Sequence, residues 1–266
     1  MKILFIGGDK RMDHAAEKLS AEHEVERFGK ETRGLFGAIV LPLPLTKNGR
    51  EILAPLSDSP LEFGIVTRFA DENTVIFAGG ECPALTELCG KNGYTLVNYF
   101  AEEALTLKNA ALTAEAACAL LSQSTDGALL GSRSLITGYG RISRMLAYRL
   151  AANGSSVTIA ARRAEQRTSA ELDGFSAVGI SDIVPEDVDF IANTVPHALF
   201  TAEHFSTMKN SAVFIELATL PEQPAKPLAE SCGIQYICAS GLPGKHSPKA
   251  AGEAIAEIIS ARLTEK

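Results

Sequence analysis

Residues 135–140 read Leu-Ile-Thr-Gly-Tyr-Gly, and Arg162-Arg163 follow about two dozen positions after Gly138. An apolar strand running into a glycine turn is the arrangement that receives a dinucleotide pyrophosphate. The glycines let backbone N–H groups approach phosphate, and the next helix turns its positive dipole end toward it. Gly138, Tyr139, Gly140, Arg141 and Ile142 form this turn, and Ser143 stands where the fingerprint has its third glycine. NAD-binding proteins usually end the following strand with an acid for the ribose 2′-hydroxyl. Here Ala160-Ala161 lead into two arginines, which suit a 2′-phosphate instead. The pair points to NADP and to hydride chemistry. The alternatives are a purely structural turn and arginines at an exposed strand end; Arg141 is either a phosphate contact or a solvent-facing helix start.

A second loop belongs with this turn. Asn193-Thr194-Val195-Pro196-His197 follows a later apolar strand and is expected at the carboxyl end of the same sheet. There Thr194 and Pro196 would shape the wall against which the nicotinamide lies. A strand-terminating turn would also explain the proline.

The elements that must position these residues alternate along the chain. Ile3–Ile6, Ala38–Leu41, Gly64–Thr67, Val75–Ala78 and Thr95–Asn98 are short apolar runs suited to strands buried on both faces of a parallel sheet. Asp13–Leu19 and Ala84–Lys91 supply helices between them. From Ala101 to Leu121 the chain is rich in Ala, Leu and Glu without Gly or Pro, which predicts a long helix or two. A loop at 123–127 precedes a second alternating segment: strand Ser134–Thr137, helix Arg141–Ala152, and strands at Val157–Ala161, Asp189–Ala192, Ala212–Leu217 and Ile234–Cys238. A last helix, Pro248–Leu263, has Ile255, Ile258 and Ile259 on one side. The expected fold is α/β in two domains facing each other across a cleft. A flavodoxin-like N-terminal domain spans 1–125 with the connecting helix, and a Rossmann domain spans 126–245. The helix of 246–266 is expected to return to the first domain.

The chain has 266 residues, 46% of them hydrophobic and 21% charged, which suits a globular enzyme of two modest cores. With 25 Lys and Arg against 32 Asp and Glu the net charge is −7. That balance disfavours nucleic acid or a membrane surface as partner, while leaving room for a local basic pocket. The opening strand lacks the pattern of a secretory signal, and no apolar run reaches bilayer-spanning length. Five cysteines without CxxC spacing favour a reduced, cytoplasmic setting over disulfides or a zinc site, and no metal is expected.

Taken in order, several blocks resemble the A subunits of dipicolinate synthase from spore-forming bacteria. They are Asn98-Tyr99, Asn109-Ala110-Ala111-Leu112-Thr113-Ala114-Glu115, the glycine turn, Ala160 to Arg163, Asn193 to Pro196, and Gly241-Leu242-Pro243-Gly244-Lys245-His246-Ser247-Pro248-Lys249-Ala250-Ala251-Gly252. The Asn-x-x-x-Thr-Ala-Glu and Gly-Leu-Pro-Gly blocks are the more specific parts. The resemblance implies NADP-dependent oxidation of dihydrodipicolinate, or its hydrated precursor, to dipicolinate in a branch from lysine biosynthesis. It also implies a flavoprotein-like partner, the B subunit, in an oligomeric assembly, and the mother-cell cytoplasm of a sporulating bacterium.

A small dicarboxylate substrate needs cationic or hydrogen-bonding anchors. Lys245 is a candidate anchor, His246 a candidate general base, and Thr113 a candidate cleft-facing hydroxyl. Lys245 is as open to a plain loop role, His246 fits a loop residue better than a base, and Thr113 is open to helix packing. Two other functions share the architecture. A D-2-hydroxyacid dehydrogenase needs a guanidinium for its substrate carboxylate, and Phe214-Ile215-Glu216-Leu217-Ala218-Thr219 offers no arginine after its strand. A non-catalytic protein that senses NADP is the other.

Overall fold

The computed structural model describes residues 1–124, 127–220 and 222–265, and the chain divides into two compact units. One comprises Met1–Asn109 with Gly244–Lys266, the other Ala110–Pro243. The 125/126 boundary expected from the sequence falls on Thr125 and Asp126, which lie outside the described residues, as does part of the 123–127 loop.

The first unit begins with β1 (Lys2–Phe5), α1 (Lys10–Leu19), β2 (Glu24–Arg27) and β3 (Ala38–Val40). A short antiparallel pair, β4 (Glu51–Ile52) and β5 (Leu61–Glu62), precedes β6 (Val75–Ala78), α2 (Pro83–Asn92) and β7 (Thr95–Asn98). The main sheet is parallel in the order β2-β1-β3-β6-β7, the doubly wound order of flavodoxin-like domains. Both of its faces are buried, as the near-continuous apolar runs require. Ile3, Phe5, Val40 and Phe77 face one core, and Leu4, Ile6, Ile39 and Ile76 face the other.

One expected strand is absent. Residues Phe63–Arg68 form a 3₁₀ helix rather than a strand at Gly64–Thr67. The buried residues there are Phe63 and Val66, a spacing of three that matches the 3₁₀ repeat and not the alternation of a strand.

The long helix α3 (Glu103–Gln123) contains the division between the units. Its Leu105 packs into a core of the first unit, and Ala114, Ala117 and Leu121 pack into a core of the second. By length and composition α3 is apolar enough to cross a membrane, contrary to the expectation that no run reaches that length. The reason is its Ala- and Leu-rich interior, uninterrupted by Gly or Pro, which serves packing along the helix here.

The second unit continues with β8 (Arg133–Thr137), α4 (Arg141–Ala152), β9 (Ser156–Ala160), α5 (Ala164–Leu172) and β10 (Ser176–Val178). Then come β11 (Phe190–Asn193), α6 (Ala202–Thr207), β12 (Val213–Glu216), α7 (Ala225–Ser231) and β13 (Gln235–Cys238). All strands are parallel in the order β10-β9-β8-β11-β12-β13, the Rossmann order. The direction of winding reverses between β8 and β11, which is where such sheets bind ligands.

The segment Gly244–His246 ends a short helix, α8 (Leu242–His246), where the sequence suggested a loop. The final helix, α9 (Pro248–Thr264), packs along α1, with Ile255 and Ile259 buried. Gly252 permits that approach: a Cβ there would meet the Arg11 carbonyl and lie 2.8 Å from the His14 Cβ.

Candidate dinucleotide site

The glycine turn leaves β8 with Gly138 in the left-handed region, φ +79°, while its N–H donates to the Ala160 carbonyl at 2.8 Å. A Cβ at Gly138 would lie 3.0 Å from Val195 Cγ2 and 3.1 Å from Thr194 Oγ1, so the position is restricted both by torsion and by space. Gly140 differs. It caps α4 in an extended conformation, and a Cβ there would meet open space. The crowded glycine shapes the turn, and the open one leaves the N-terminus of α4 accessible to a phosphate.

Ser143 is fully buried and its hydroxyl lies 2.8 Å from that of Thr194, which donates to the Thr137 carbonyl at 2.7 Å. Serine in place of the third glycine is therefore a structural tie as well as a small residue. It fastens α4 to the loop after β11. Thr194 consequently supports the turn through its side chain, while Pro196 and His197 are exposed on the same loop.

Beneath this loop runs a buried polar chain. Thr137 Oγ1 donates to Asn193 Oδ1 at 2.5 Å, and Asn193 Nδ2 donates to the Val195 carbonyl at 3.1 Å. The same amide nitrogen reaches both Glu216 oxygens, at 2.9 and 3.0 Å, and the Ala218 N–H donates to Glu216 Oε1 at 3.1 Å. Glu216 is 1% exposed. Burial pushes its carboxyl pKa up, and the hydrogen bonds from Asn193 and Ala218 only partly oppose that. The ends of β8, β11 and β12 are thus locked together across the switch point. No motif announces Glu216. Its one signal in the sequence is an acid closing an otherwise apolar strand, Val213-Phe214-Ile215-Glu216.

Tyr139 turns inward from the turn. It is buried, packs edge-on against Phe175, and donates its hydroxyl to Asp173 Oδ2 at 2.6 Å. Arg144 pairs with the same carboxylate at 3.0 Å and lies over the Tyr139 ring. Burial and then the hydrogen bond to Asp173 raise the phenol pKa well above its ordinary value. Ile142 is partly buried against the core, and Arg141 is exposed at the start of α4.

Arg162 and Arg163 are exposed beyond the end of β9, with Arg163 in extended conformation before α5. Arg167 fastens this corner by donating to the Ala161 and Arg162 carbonyls, both at 2.9 Å. Nothing acidic ends β9, so the corner presents two guanidinium groups where the ribose of a dinucleotide lies in such domains. The residues fit a dinucleotide: a crowded glycine, an open glycine at a helix start, and a cationic corner.

The proposed substrate-side residues are not gathered in this unit. Thr113 is buried on α3 within the second unit, whereas Lys245 and His246 are exposed and belong to the first. In that first unit the ends of β1, β3 and β6 carry Gly7-Gly8, Pro42 and Gly79. Asp9 and Arg11 form a bidentate pair there, with Nε–Oδ1 at 2.9 Å and Nη2–Oδ2 at 2.8 Å. Tyr99, fully buried, donates to the Leu41 carbonyl at 2.9 Å. Among the described residues no group of three or more His, Cys, Asp or Glu side chains is arranged to hold a metal ion.

Comparison with known proteins agrees with this geometry. Residues 113–219 match the NAD-binding domain of the D-isomer-specific 2-hydroxyacid dehydrogenases. The dipicolinate synthase A subunit of Bacillus subtilis (strain 168) is 28% identical over 292 residues, covering 100% of this chain and 96% of that protein. The crystal structure of the dipicolinate synthase A subunit from Bacillus halodurans superposes with a TM-score of 0.87 at 26% identity, over 100% of this chain and 98% of the other. That of the Bacillus subtilis protein gives 0.84 at 24%, over 100% and 96%. The chain therefore resembles the A subunits of dipicolinate synthase from end to end, and its second unit carries a dehydrogenase-type dinucleotide-binding domain.

Proposed function

We propose that the chain is the dinucleotide-binding A subunit of a dipicolinate synthase and oxidises dihydrodipicolinate, or its hydrated precursor, with NADP. The observation that carries this reading is the full-length similarity, which spans both units and is not confined to the common NAD-binding domain. The cationic corner of Arg162 and Arg163 supports NADP over NAD. When bound, the nicotinamide supplies the hydride acceptor.

The chain's own residues position and anchor. The N-terminus of α4 and Gly140 receive the pyrophosphate, and Arg162 and Arg163 hold the 2′-phosphate. Ser143, Thr194 and Asn193 keep the loop before Pro196 in register with the glycine turn. Removing a hydride and a proton from a dihydropyridine yields an aromatic ring, so positioning is the principal demand. Lys245 is assigned to anchoring a substrate carboxylate, Thr113 to the substrate side, and His246 to accepting the proton. The partner is a flavoprotein-like B subunit in an oligomeric assembly. The setting is the cytoplasm of the mother cell in a sporulating bacterium.

The domain match favours one second reading, a D-2-hydroxyacid dehydrogenase. Against it, β12 ends in a buried glutamate and is followed by Leu217-Ala218-Thr219, with no guanidinium for a substrate carboxylate. An NADP sensor without catalysis is the remaining possibility. One experiment separates the three. The purified chain, with and without the B subunit, is mixed with NADP and freshly generated dihydrodipicolinate, and NADPH absorbance and the dipicolinate ultraviolet band are followed. Both signals rise together on the synthase reading. Tight NADP binding without turnover in the full mixture overturns it, and NADPH formation when a 2-hydroxyacid replaces dihydrodipicolinate in the same assay establishes the second reading.

A further inference from the structure

The polar chain at the end of the second unit's sheet runs in one register row. Thr137 on β8 stands opposite Asn193 on β11, and Asn193 stands opposite Glu216 on β12. All three side chains are buried. A buried polar group must find its partners inside the protein, so each member of the row dictates how the next one points.

Asn193 is the middle member, and its amide is fully used. Nδ2 donates to the Val195 carbonyl and to the Glu216 carboxyl, while Oδ1 accepts from Thr137 Oγ1 and, at 3.2 Å, from the Val195 N–H. One side chain therefore holds both backbone groups of Val195. An amide turned end for end would present an oxygen to the Val195 carbonyl and a nitrogen to its N–H, and both bonds would be lost. Glu216 decides between the two orientations. Its Oε1 accepts from Asn193 Nδ2 at 2.9 Å and is itself fixed by the Ala218 N–H at 3.1 Å, so the nitrogen end of the amide faces β12.

The segment held in this way is closely fitted. The Val195 carbonyl also accepts from the His197 N–H at 2.7 Å, and Val195 Cγ2 is the atom nearest a Cβ built at Gly138. A shift of Val195 would therefore move Pro196 and press on the glycine turn. We propose that Glu216 is a positioning residue for the dinucleotide: through Asn193 it sets Val195-Pro196 as the wall for the nicotinamide ring. Gly140 and the corner of Arg162 and Arg163 receive the phosphates without its help. The proposal deepens the dinucleotide reading and rests on it.

The full chain and its Glu216→Ala, Glu216→Gln and Asn193→Ser variants are titrated by calorimetry with two ligands. One is NADP; the other is adenosine 2′,5′-bisphosphate, which carries the 2′-phosphate but no nicotinamide. Glu216→Ala is expected to weaken NADP by about tenfold or more and to leave the bisphosphate unchanged. Glu216→Gln keeps an acceptor for Asn193 and Ala218 and should bind NADP close to the parent. Asn193→Ser is too short to join β12 to Val195, so it cuts the same link from the other end and keeps the test open where Glu216→Ala unfolds. Equal weakening of both ligands would make the row a structural tie alone, and unchanged NADP affinity in the disrupted variants would leave it no part in binding. Either result overturns the proposal while the dinucleotide reading stands. A parent chain that binds neither ligand overturns both.

Discussion

Gly244 lies against the guanidinium of Arg11: a Cβ at position 244 would stand 2.8 Å from Arg11 Nε and 3.2 Å from Asp9 Oδ2. The second glycine of Gly-Leu-Pro-Gly is therefore explained by close approach to an ion pair. Its φ is not among those in the left-handed region. Arg11 is 7% exposed, and burial alone would raise the Asp9 carboxyl pKa, yet the hydrogen bonds and charge of Arg11 hold it below the ordinary value. Gly244→Ala is expected to part the two side chains and lower the first unit's stability by roughly 1–3 kcal/mol, the usual cost of a broken buried polar contact. Thermal unfolding of Gly244→Ala beside Asp9→Asn checks this. If Gly244→Ala melts like the parent chain, the contact has no energetic weight.

The glycine turn gives a second expectation. Gly138→Ala adds a methyl group between Val195 and Thr194 at a residue with φ +79°. The torsion alone costs about 1–2 kcal/mol, and relief requires the loop after β11 to move. Dinucleotide affinity should fall by about tenfold or more, since the proposed site has the turn and the loop flanking the same ligand. Gly140→Ala, where a Cβ meets open protein surface, should leave stability unchanged and affect only ligand binding. Melting curves with and without NADP distinguish the pair, and equal destabilisation by both substitutions contradicts the assignment.

Glu216 makes stability depend on pH in a defined direction. Burial raises its folded pKa above the ordinary value of 4.5, so the folded chain holds a proton that the unfolded chain releases. The stability from this group is fully present below the unfolded pKa and is lost as pH rises through the folded pKa. Glu216→Gln removes that dependence while keeping an acceptor for the Ala218 N–H. Denaturant unfolding from pH 4.5 upward should show the parent chain losing stability relative to Glu216→Gln. Parallel curves would show that the carboxyl titrates alike in both states.

Much of this arrangement was legible in the sequence. The two α/β segments, the glycine turn and the long helix follow from apolar runs and from where Gly and Pro punctuate them. What escaped has physical causes. The edge strands β2 and β10 carry polar residues, as in Glu24-Val25-Glu26-Arg27, so no apolar run announces them. Phe63 and Val66 mimic strand hydrophobicity while repeating every three residues. Asn193 and Glu216 lie 23 positions apart, and only the pairing of β11 with β12 brings them together.

Arg162 and Arg163 carry the last prediction, which concerns cofactor choice. Both are exposed at the corner that Arg167 fastens through two backbone carbonyls. Because the corner is held by Arg167, replacing either of its neighbours should leave the fold intact and alter only what the corner attracts. A guanidinium-to-phosphate contact is a charge-assisted hydrogen bond present with NADP and missing with NAD. Arg162→Ala or Arg163→Ala should therefore weaken NADP by about tenfold and leave NAD almost unchanged. Arg163→Asp should go further, since a carboxylate repels the 2′-phosphate and can accept from a ribose 2′-hydroxyl. Parallel titrations with the two dinucleotides give the ratio directly. Equal losses for both cofactors would mean that the arginines act on the pyrophosphate or on the fold, and the proposed choice of NADP over NAD would lose its support.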